Sequence, residues 1–449
     1  MADGLTSVSG LASGLDTASI VSQLMKVEQQ PQQILKDKVS ADQKKITAYQ
    51  SVNTKMGALL TAADSLTKAD TWKAATASSS SAAVVATASA GAPTGDFTFN
   101  VKSLAKSQVT TALLAPGSTT AAAGSQIDIS INGGDPVTLD LQDDSAASVA
   151  DAINAANVGV RAMVVNTNQG TVLQFTALKT GTAGSFAISG LAGDATVTDQ
   201  IPATDALITV GDPDNGGYSV SSSTNTFTNL IPNVTLTATD QKDGVLVSVK
   251  ADGDGLAAQL QAMVTAANAA LTEIGKQTGY TAGANGAAGT AGSLLGDQAV
   301  QDLQRKILGA VSNGVDGYGS LAKLGLQLDK GGQLTFDKSV FLAAYQADPG
   351  TVQSAVQDGV ATAIKDVAKA ATNSTTGTLT TAIQGRNDEV NSLNDQIDQW
   401  NARLDVRKSV LEKQFTAMEV ALGKLHDQSN WLAGQLNSLP TTSSNSNGN

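Results

Sequence analysis

Few positions in this chain carry side chains suited to chemistry. His426 is its single histidine, with Asp427 and Ser429 beside it in sequence. A Ser-His-Asp triad needs three groups converging from a scaffold that exposes the serine. Neighbours on one helix point in different directions instead, so this trio reads as helix-surface or interface polarity. One histidine also excludes His-rich metal sites, and the lack of any cysteine removes thiolate ligands, cysteine nucleophiles and disulfides. The segment GDPDNGGY, Gly211 to Tyr218, sets Asp212, Asp214 and Asn215 at calcium-loop spacing. Ser223 stands where such a loop needs its closing glutamate, and the composition suits a β-turn equally well, so it reads as a turn. ADGDG near 251–255 offers two carboxylates in what looks like a solvated joint. Asp143 and Asp144 are placed to cap a helix beginning near Ser145. There is no GxGxxG and no GxxxxGK[ST], so nucleotide binding has no support. The reading is a non-enzyme without cofactor or metal.

Composition narrows the classes further. The 449 residues are too many for one core, which makes two to four domains the starting expectation. Hydrophobic residues make up 41% and aromatics only 4%, so the cores should be thin and aliphatic. A net charge of −12, with no run of four basic residues, argues against nucleic acid and against a polybasic membrane patch. No uninterrupted apolar stretch approaches 18 residues, so no membrane-spanning helix is expected. The opening MADGLTSVSGLASGLD lacks the basic and apolar regions of a Sec signal, so any export must use another route.

The elements that would position these residues differ between ends and middle. A heptad runs through Leu35, Val39, Asp42, Ile46, Tyr49, Asn53, Met56, Leu60 and Ala63, apolar at seven of nine positions. Before it, Asp16 or Thr17 should cap a separate helix carrying Ile20, Val21, Leu24 and Met25, with Pro31 interrupting the path. A longer stripe steps by four and three from Leu379 to Leu432, interrupted by Arg386, Arg407, Gln414 and Gln428. Val410, Phe415 and Leu422 widen its last third.

Between the arms the period falls to two. DFTFNVK alternates as a half-buried strand, and QIDISINGGDPVTLDL reads as a hairpin turning at Asn-Gly-Gly. SAASVADAINAAN is a short helix, followed by strands in VGVRAMVV and TVLQFTAL and a second β block from DALITVG to VLVSVKAD. Residues 74–250 hold fourteen Asp, no Glu and six Lys or Arg, as strands and turns favour. Helices follow at 256–276 and 297–312. The fold class expected is α+β multidomain, with N- and C-terminal helices forming a coiled-coil or bundle leg and mainly-β head domains inserted. The boundaries expected are an N-terminal assembly segment, disordered or helical, at 1–34 and a helical leg of 35–73 with 256–410. A β head of 74–110 with 201–255 carries a second head domain, 111–200, inserted in it. A C-terminal assembly helix and disordered tail occupy 411–449.

SGLASGLDTASIVSQLMKVEQQP, with Ser13 to Thr17, Ile20 to Met25, Glu28 and Pro31, resembles the opening of the flagellar filament-cap family, hook-associated protein 2. LEKQFTAMEVALGKLHDQSNWLAGQL is similar to that family's closing helix through Gln414 to Glu419, Gln428, Ser429 and Leu432. VADAINAANVGVRAMVV resembles the Ile-Asn motif of flagellar head domains. HDQS departs from the family's usual Asn-Ser-Gln-Ser. The resemblance implies a structural protein that caps the distal end of the bacterial flagellar filament as a ring-like homo-oligomer, with heads as a plate and helical legs directed into the filament. It implies promotion of flagellin insertion and prevention of flagellin loss. Further implied partners are hook–filament junction proteins and a dedicated export chaperone on the C-terminal segment, with secretion by the flagellar type III route. The assembly interface expected comprises Ile20, Leu24, Met25, Leu411, Phe415, Met418, Leu422, Leu425, Trp431 and Leu432, unpacked until other chains cover it. The competing reading is a secreted adhesin whose helical stalk presents a β head to mucin or glycan.

Overall fold

The computed structural model describes residues 14–283 and 288–438. Parts of both expected terminal segments, residues 1–13 and 439–449, lie outside the described residues, as does the side chain of Asn229. The chain begins with α1 (Thr17–Glu28), capped by the Asp16 carboxylate accepting from the Ser19 N–H at 3.0 Å. α2 (Gln30–Leu66) starts at once, and the break falls at Gln29. Pro31 sits in the first turn of α2, where its missing N–H costs nothing.

A short α3 (Ala69–Trp72) leads into β1 (Ala75–Ser79), β2 (Val84–Ala88), β3 (Gly95–Ser103), β4 (Val109–Leu113), β5 (Gln126–Ile131) and β6 (Val137–Asp140). After α4 (Ala146–Ala156) come β7 (Val160–Thr167), β8 (Gly170–Ala177), β9 (Phe186–Ser189), β10 (Thr196–Ile201), β11 (Ala206–Val210) and β12 (Tyr218–Ser222). β13 (Thr226–Ile231), β14 (Val234–Ala238) and β15 (Lys242–Ala251) end the β region. The remainder is α5 (Gly253–Thr278), β16 (Tyr280–Thr281), β17 (Thr290–Ala291), α6 (Gln298–Ser312), β18 (Leu326–Leu328), β19 (Leu334–Phe336), α7 (Lys338–Ala347) and α8 (Pro349–Ser354). A π-helical stretch, Ala355–Ala361, joins α8 to α9 (Thr362–Thr372), and α10 (Thr378–Asn437) runs for 60 residues.

The chain divides into two compact units. The helical one comprises 1–64, 261–337 and 358–449; the other comprises 65–260 and 338–357. In the second, the sheets β1-β15-β3-β11-β12 and β13-β14-β2 share a core of Phe99, Val101, Ile208, Val234, Leu236 and Val247. Apart from Ile208, which is followed by the buried Thr209, these residues alternate along their strands with exposed or half-buried ones, as two packed sheets require. A separate core lies among β10-β4-β8-β7, β6-β5-β9 and α4, built from Ile127, Ile129, Val149, Ile153, Leu173 and Phe175. The β5–β6 hairpin turns at Asn132 and Gly133, both with positive φ (51° and 68°), the conformation that Asn-Gly accepts at least cost. Trp72 is buried, donates its indole N–H to the Leu66 carbonyl at 2.8 Å, and lies 6.3 Å from the Tyr345 ring.

In the helical unit the buried residues of α2 are Gln32, Asp42, Ile46, Ala48, Tyr49, Val52, Met56, Leu59 and Ala63. Of the expected heptad, Asp42, Ile46, Tyr49, Met56 and Ala63 are buried, whereas Leu35, Val39, Asn53 and Leu60 are half-buried. A straight helix of 3.6 residues per turn drifts against a strict 3.5 repeat, and here Val52 and Leu59 take the inner places beside Asn53 and Leu60. α9 packs against α6 and α10.

Candidate assembly face on the terminal helices

α1 and the first part of α2 lie antiparallel to α10. Arg386 Nη1 reaches Asp42 Oδ1 at 3.4 Å, Gln32 Nε2 donates to Asn401 Oδ1 at 2.5 Å, and Arg407 Nε meets Glu28 Oε1 at 3.2 Å. Numbers fall along α10 as they rise along the partner helices. The two arginines that interrupt the C-terminal stripe thus meet carboxylates of the N-terminal arm. Asp42 is the more enclosed: it also takes Lys45 Nζ at 3.2 Å, and its side chain is only 10% exposed. A buried carboxylate needs such pairing, since stranding it would cost several kcal/mol, about 3–5.

Tyr49 donates its phenolic hydrogen to Asp297, the residue whose other oxygen caps α6 at the Val300 N–H. Burial first, and the Asp297 carboxylate second, push the Tyr49 pKa up to about 12.

Below the charged pairs, Val21, Met25, Leu404 and Leu411 close into a small core, with Trp400 and Phe415 against it. This corrects one expectation. Met25 and Leu411 do not wait unpacked for another chain; each is only 7% exposed, buried against the other's helix within this chain. Periodicity shows that a face is apolar, but not which helix covers it. Ile20, Phe415, Met418 and Leu422 are half-buried. Leu24, Leu425, Trp431 and Leu432 stay open, at 43%, 60%, 66% and 54%.

The open residues fall on two sides of α10. At 100° per residue, Leu425, Leu432 and Leu436 continue the face that holds Leu404 and Leu411. Val406, Val410, Val420 and Trp431 form a second apolar strip on the far side. The spacings 4, 10 and 11 between these four residues are the sequence signal of this second strip.

The tempting chemical groups resolve into structural roles. His426, Asp427 and Ser429 are all exposed on α10, and among the described residues no hydrogen bond joins them. Asp212 accepts from the Asp214 N–H and from Asn215 Nδ2, both at 3.1 Å, closing the β11–β12 turn. Asp252 takes the Gly255 N–H at 2.8 Å, and Asp254 pairs with Lys338 at 2.7 Å. The cap of α4 is Ser145, which accepts from the Ser148 N–H, rather than Asp143 or Asp144. Asp143 supports it from outside, and hydrogen bonds from the Ser145 hydroxyl and N–H hold its pKa below the usual carboxylate value. Among the described residues no cluster of His, Asp or Glu could hold a metal ion. No described helix is long and apolar enough to cross a membrane.

The family profile for the flagellar hook-associated protein 2 C-terminus matches residues 203–427, and that for its N-terminus matches 13–108. The chain is 28% identical to the flagellar hook-associated protein 2 of Escherichia coli (strain K12), over 95% of this chain and 97% of that one. It is 28% identical to the A-type flagellar hook-associated protein 2 of Pseudomonas aeruginosa, over 97% and 98% respectively. The crystal structure of the D1-D2-D3 domains of the Escherichia coli flagellar cap protein FliD aligns with a TM-score of 0.57 at 26% identity. It covers 76% of this chain and 99% of that one. With one profile spanning just over half the chain and a second covering most of its N-terminal arm, the chain belongs to the flagellar hook-associated protein 2 family.

Proposed function

We propose that this chain is a structural subunit of the cap at the distal end of the bacterial flagellar filament. It works as a homo-oligomeric ring that promotes flagellin insertion and prevents flagellin loss. Family membership supports the setting, and one observation carries the mechanism. Beyond the part of α10 clamped by α1, the same apolar face continues uncovered through Leu425, Leu432 and Leu436. Each of these side chains is more than half exposed, so covering it in an assembly should contribute about 1 kcal/mol. Ile20, Leu24, Phe415, Met418 and Leu422 border that surface, with Met25 and Leu411 holding the clamp behind it, and Trp431 on the far strip of α10 is proposed as a second contact. Because α10 is already helical here, little of the usual coupled-folding cost of about 2–5 kcal/mol opposes docking. Neighbouring copies and flagellin are the partners proposed for this surface. Hook–filament junction proteins at the filament base and an export chaperone on the C-terminal segment complete the set. Two separate hydrophobic cores support a head of two domains, 74–110 with 201–255 and the inserted 111–200. Export through the flagellar type III route is part of the same proposal and rests on family membership.

The experiment is deletion of 424–449, which spares Leu411 and the α1 clamp. The truncated protein should stay folded by circular dichroism while cells lose motility and shed monomeric flagellin. Normal motility with full-length filaments would refute the role of this face.

A further inference from the structure

One local device recurs at four places: Asn225 clips Ala105, outside the strands, by accepting from its N–H at 2.7 Å and donating to its carbonyl at 3.4 Å, and the other three lie on strands. Asn154, on α4, accepts from the Ala162 N–H at 3.0 Å and donates to the Ala162 carbonyl at 2.8 Å. Gln108 treats Phe186 in the same way, 2.9 Å in each direction. Asn268, on α5, takes the Leu334 N–H at 2.7 Å and donates to the Leu334 carbonyl at 2.8 Å. A carboxamide offers one N–H donor group and one carbonyl in the layout of a peptide, so each of these acts as a strand one residue long. Ala162 lies in β7, Phe186 in β9 and Leu334 in β19, and each of these strands stands at the end of its sheet. These three clips therefore sit where a neighbouring strand is missing.

β7 is the most vulnerable of the three. Its register with β8, closing at Thr167↔Gly170, turns the backbone groups of Ala162, Val164 and Asn166 away from the sheet. Met163, Val164 and Val165 are 52%, 39% and 36% exposed, so the edge is both unpaired and apolar, the combination that invites strand addition. Ile153 is fully buried in the core beneath and anchors α4 there, and the next residue delivers its carboxamide to the edge.

We propose that Asn154 is an edge guard: it fills the pairing position at Ala162 and keeps β7 of one copy from pairing with β7 of a second copy. The Ile-Asn pair then divides two tasks, Ile153 holding the helix and Asn154 closing the sheet. Serine or aspartate could not replace it, since neither supplies both the N–H donor and the carbonyl acceptor.

Hydrogen exchange on the wild-type full chain tests the geometry without any substitution. The Ala162 amide should exchange about tenfold more slowly than those of Val164 and Asn166, as a hydrogen bond of ordinary net strength gives. Equal rates at the three positions would overturn the proposal. In sedimentation velocity, Asn154→Ala should form concentration-dependent species larger than any wild-type species. Adding Val164→Lys, a charge on the open edge, should restore the wild-type distribution. A folded Asn154→Ala protein that sediments as wild type at all concentrations, or one whose association Val164→Lys leaves unchanged, would equally overturn it.

Discussion

Replacing Leu411 with alanine should release α1 from α10 while leaving the rest of the chain folded. Leu411 is one of four buried side chains in the clamp, facing Val21 and Met25 from α1 and Leu404 from its own helix. Buried Leu→Ala changes cost about 2–5 kcal/mol, and a cluster this small and near solvent belongs at the low end. α1 is only 12 residues long, so its docking is a local equilibrium and not part of global unfolding. A loss of about 2 kcal/mol raises the undocked population roughly 30-fold. The chain has no cysteine, which provides a clean probe: Val21→Cys places one thiol of similar size inside the clamp. With opening as a rapid pre-equilibrium, thiol labelling should accelerate by roughly the same 30-fold in Leu411→Ala. Leu425→Ala, on an already open part of α10, should leave the rate unchanged. A Leu411→Ala rate within twofold of the parent, with the fold intact, would refute the claim that these residues hold α1.

Leu425→Asp should leave monomer stability unchanged within about 0.5 kcal/mol, as exposed positions do, yet abolish capping in a motility assay; swimming cells would count against the assembly face. Tyr49 should make the helical unit alkali-sensitive. Its folded pKa of about 12 lies above the ordinary value of 10.0, so its contribution is complete below pH 10 and is lost as pH rises toward 12. Tyr49→Phe should flatten that part of the stability profile, and an unchanged slope would exclude Tyr49 ionisation as its source. Asn268→Ala leaves the N–H and carbonyl of Leu334 without their clip in a site where Leu334 is 3% exposed. It should cost about 2 kcal/mol in urea unfolding of the helical unit, and a loss under about 0.5 kcal/mol would mean that water replaces the amide.

Local rules carried the β region far. Asn132-Gly133 announces its hairpin because few other pairs accept two successive positive φ angles. Asp16 announces α1 because its carboxylate must meet an orphan N–H. The stripe of α10 was legible from Leu379 to Leu422, since burial on one side of a helix enforces the spacing. What resisted reading depends on which element arrives opposite. Val21 reads like its neighbour Ile20 in sequence, yet only Val21 is buried, because the antiparallel approach of α10 selects one side of α1. The carboxamide clips were invisible for the same reason: Asn268 and Leu334 are 66 residues apart, and nothing local marks either one.

The charged interruptions explain how α10 serves two purposes along one face. A fully apolar stripe of this length could slide by a turn against its partners at little cost, because each leucine would find another. Arg386 and Arg407 oppose that, since displacing α10 by one turn would leave the buried Asp42 with Lys45 alone and take Arg407 from Glu28. Asp42 dominates, being nearly enclosed, whereas the Arg407–Glu28 pair is roughly half exposed and contributes at most about 1 kcal/mol. Register is therefore fixed in the upper part of α10, and α1 covers a length of only about 18 Å below it at 1.5 Å per residue. The 22 residues after Phe415 extend a further ~33 Å with no arginine among them and with small or amide residues at Ala421 and Gln428. That part of the face carries no arginine lock of the kind made by Arg386 and Arg407; Glu419, 8% exposed, is the one buried charged residue among its described positions. A surface that must accept a neighbouring chain, yet yield as the filament grows, is better built without such a lock.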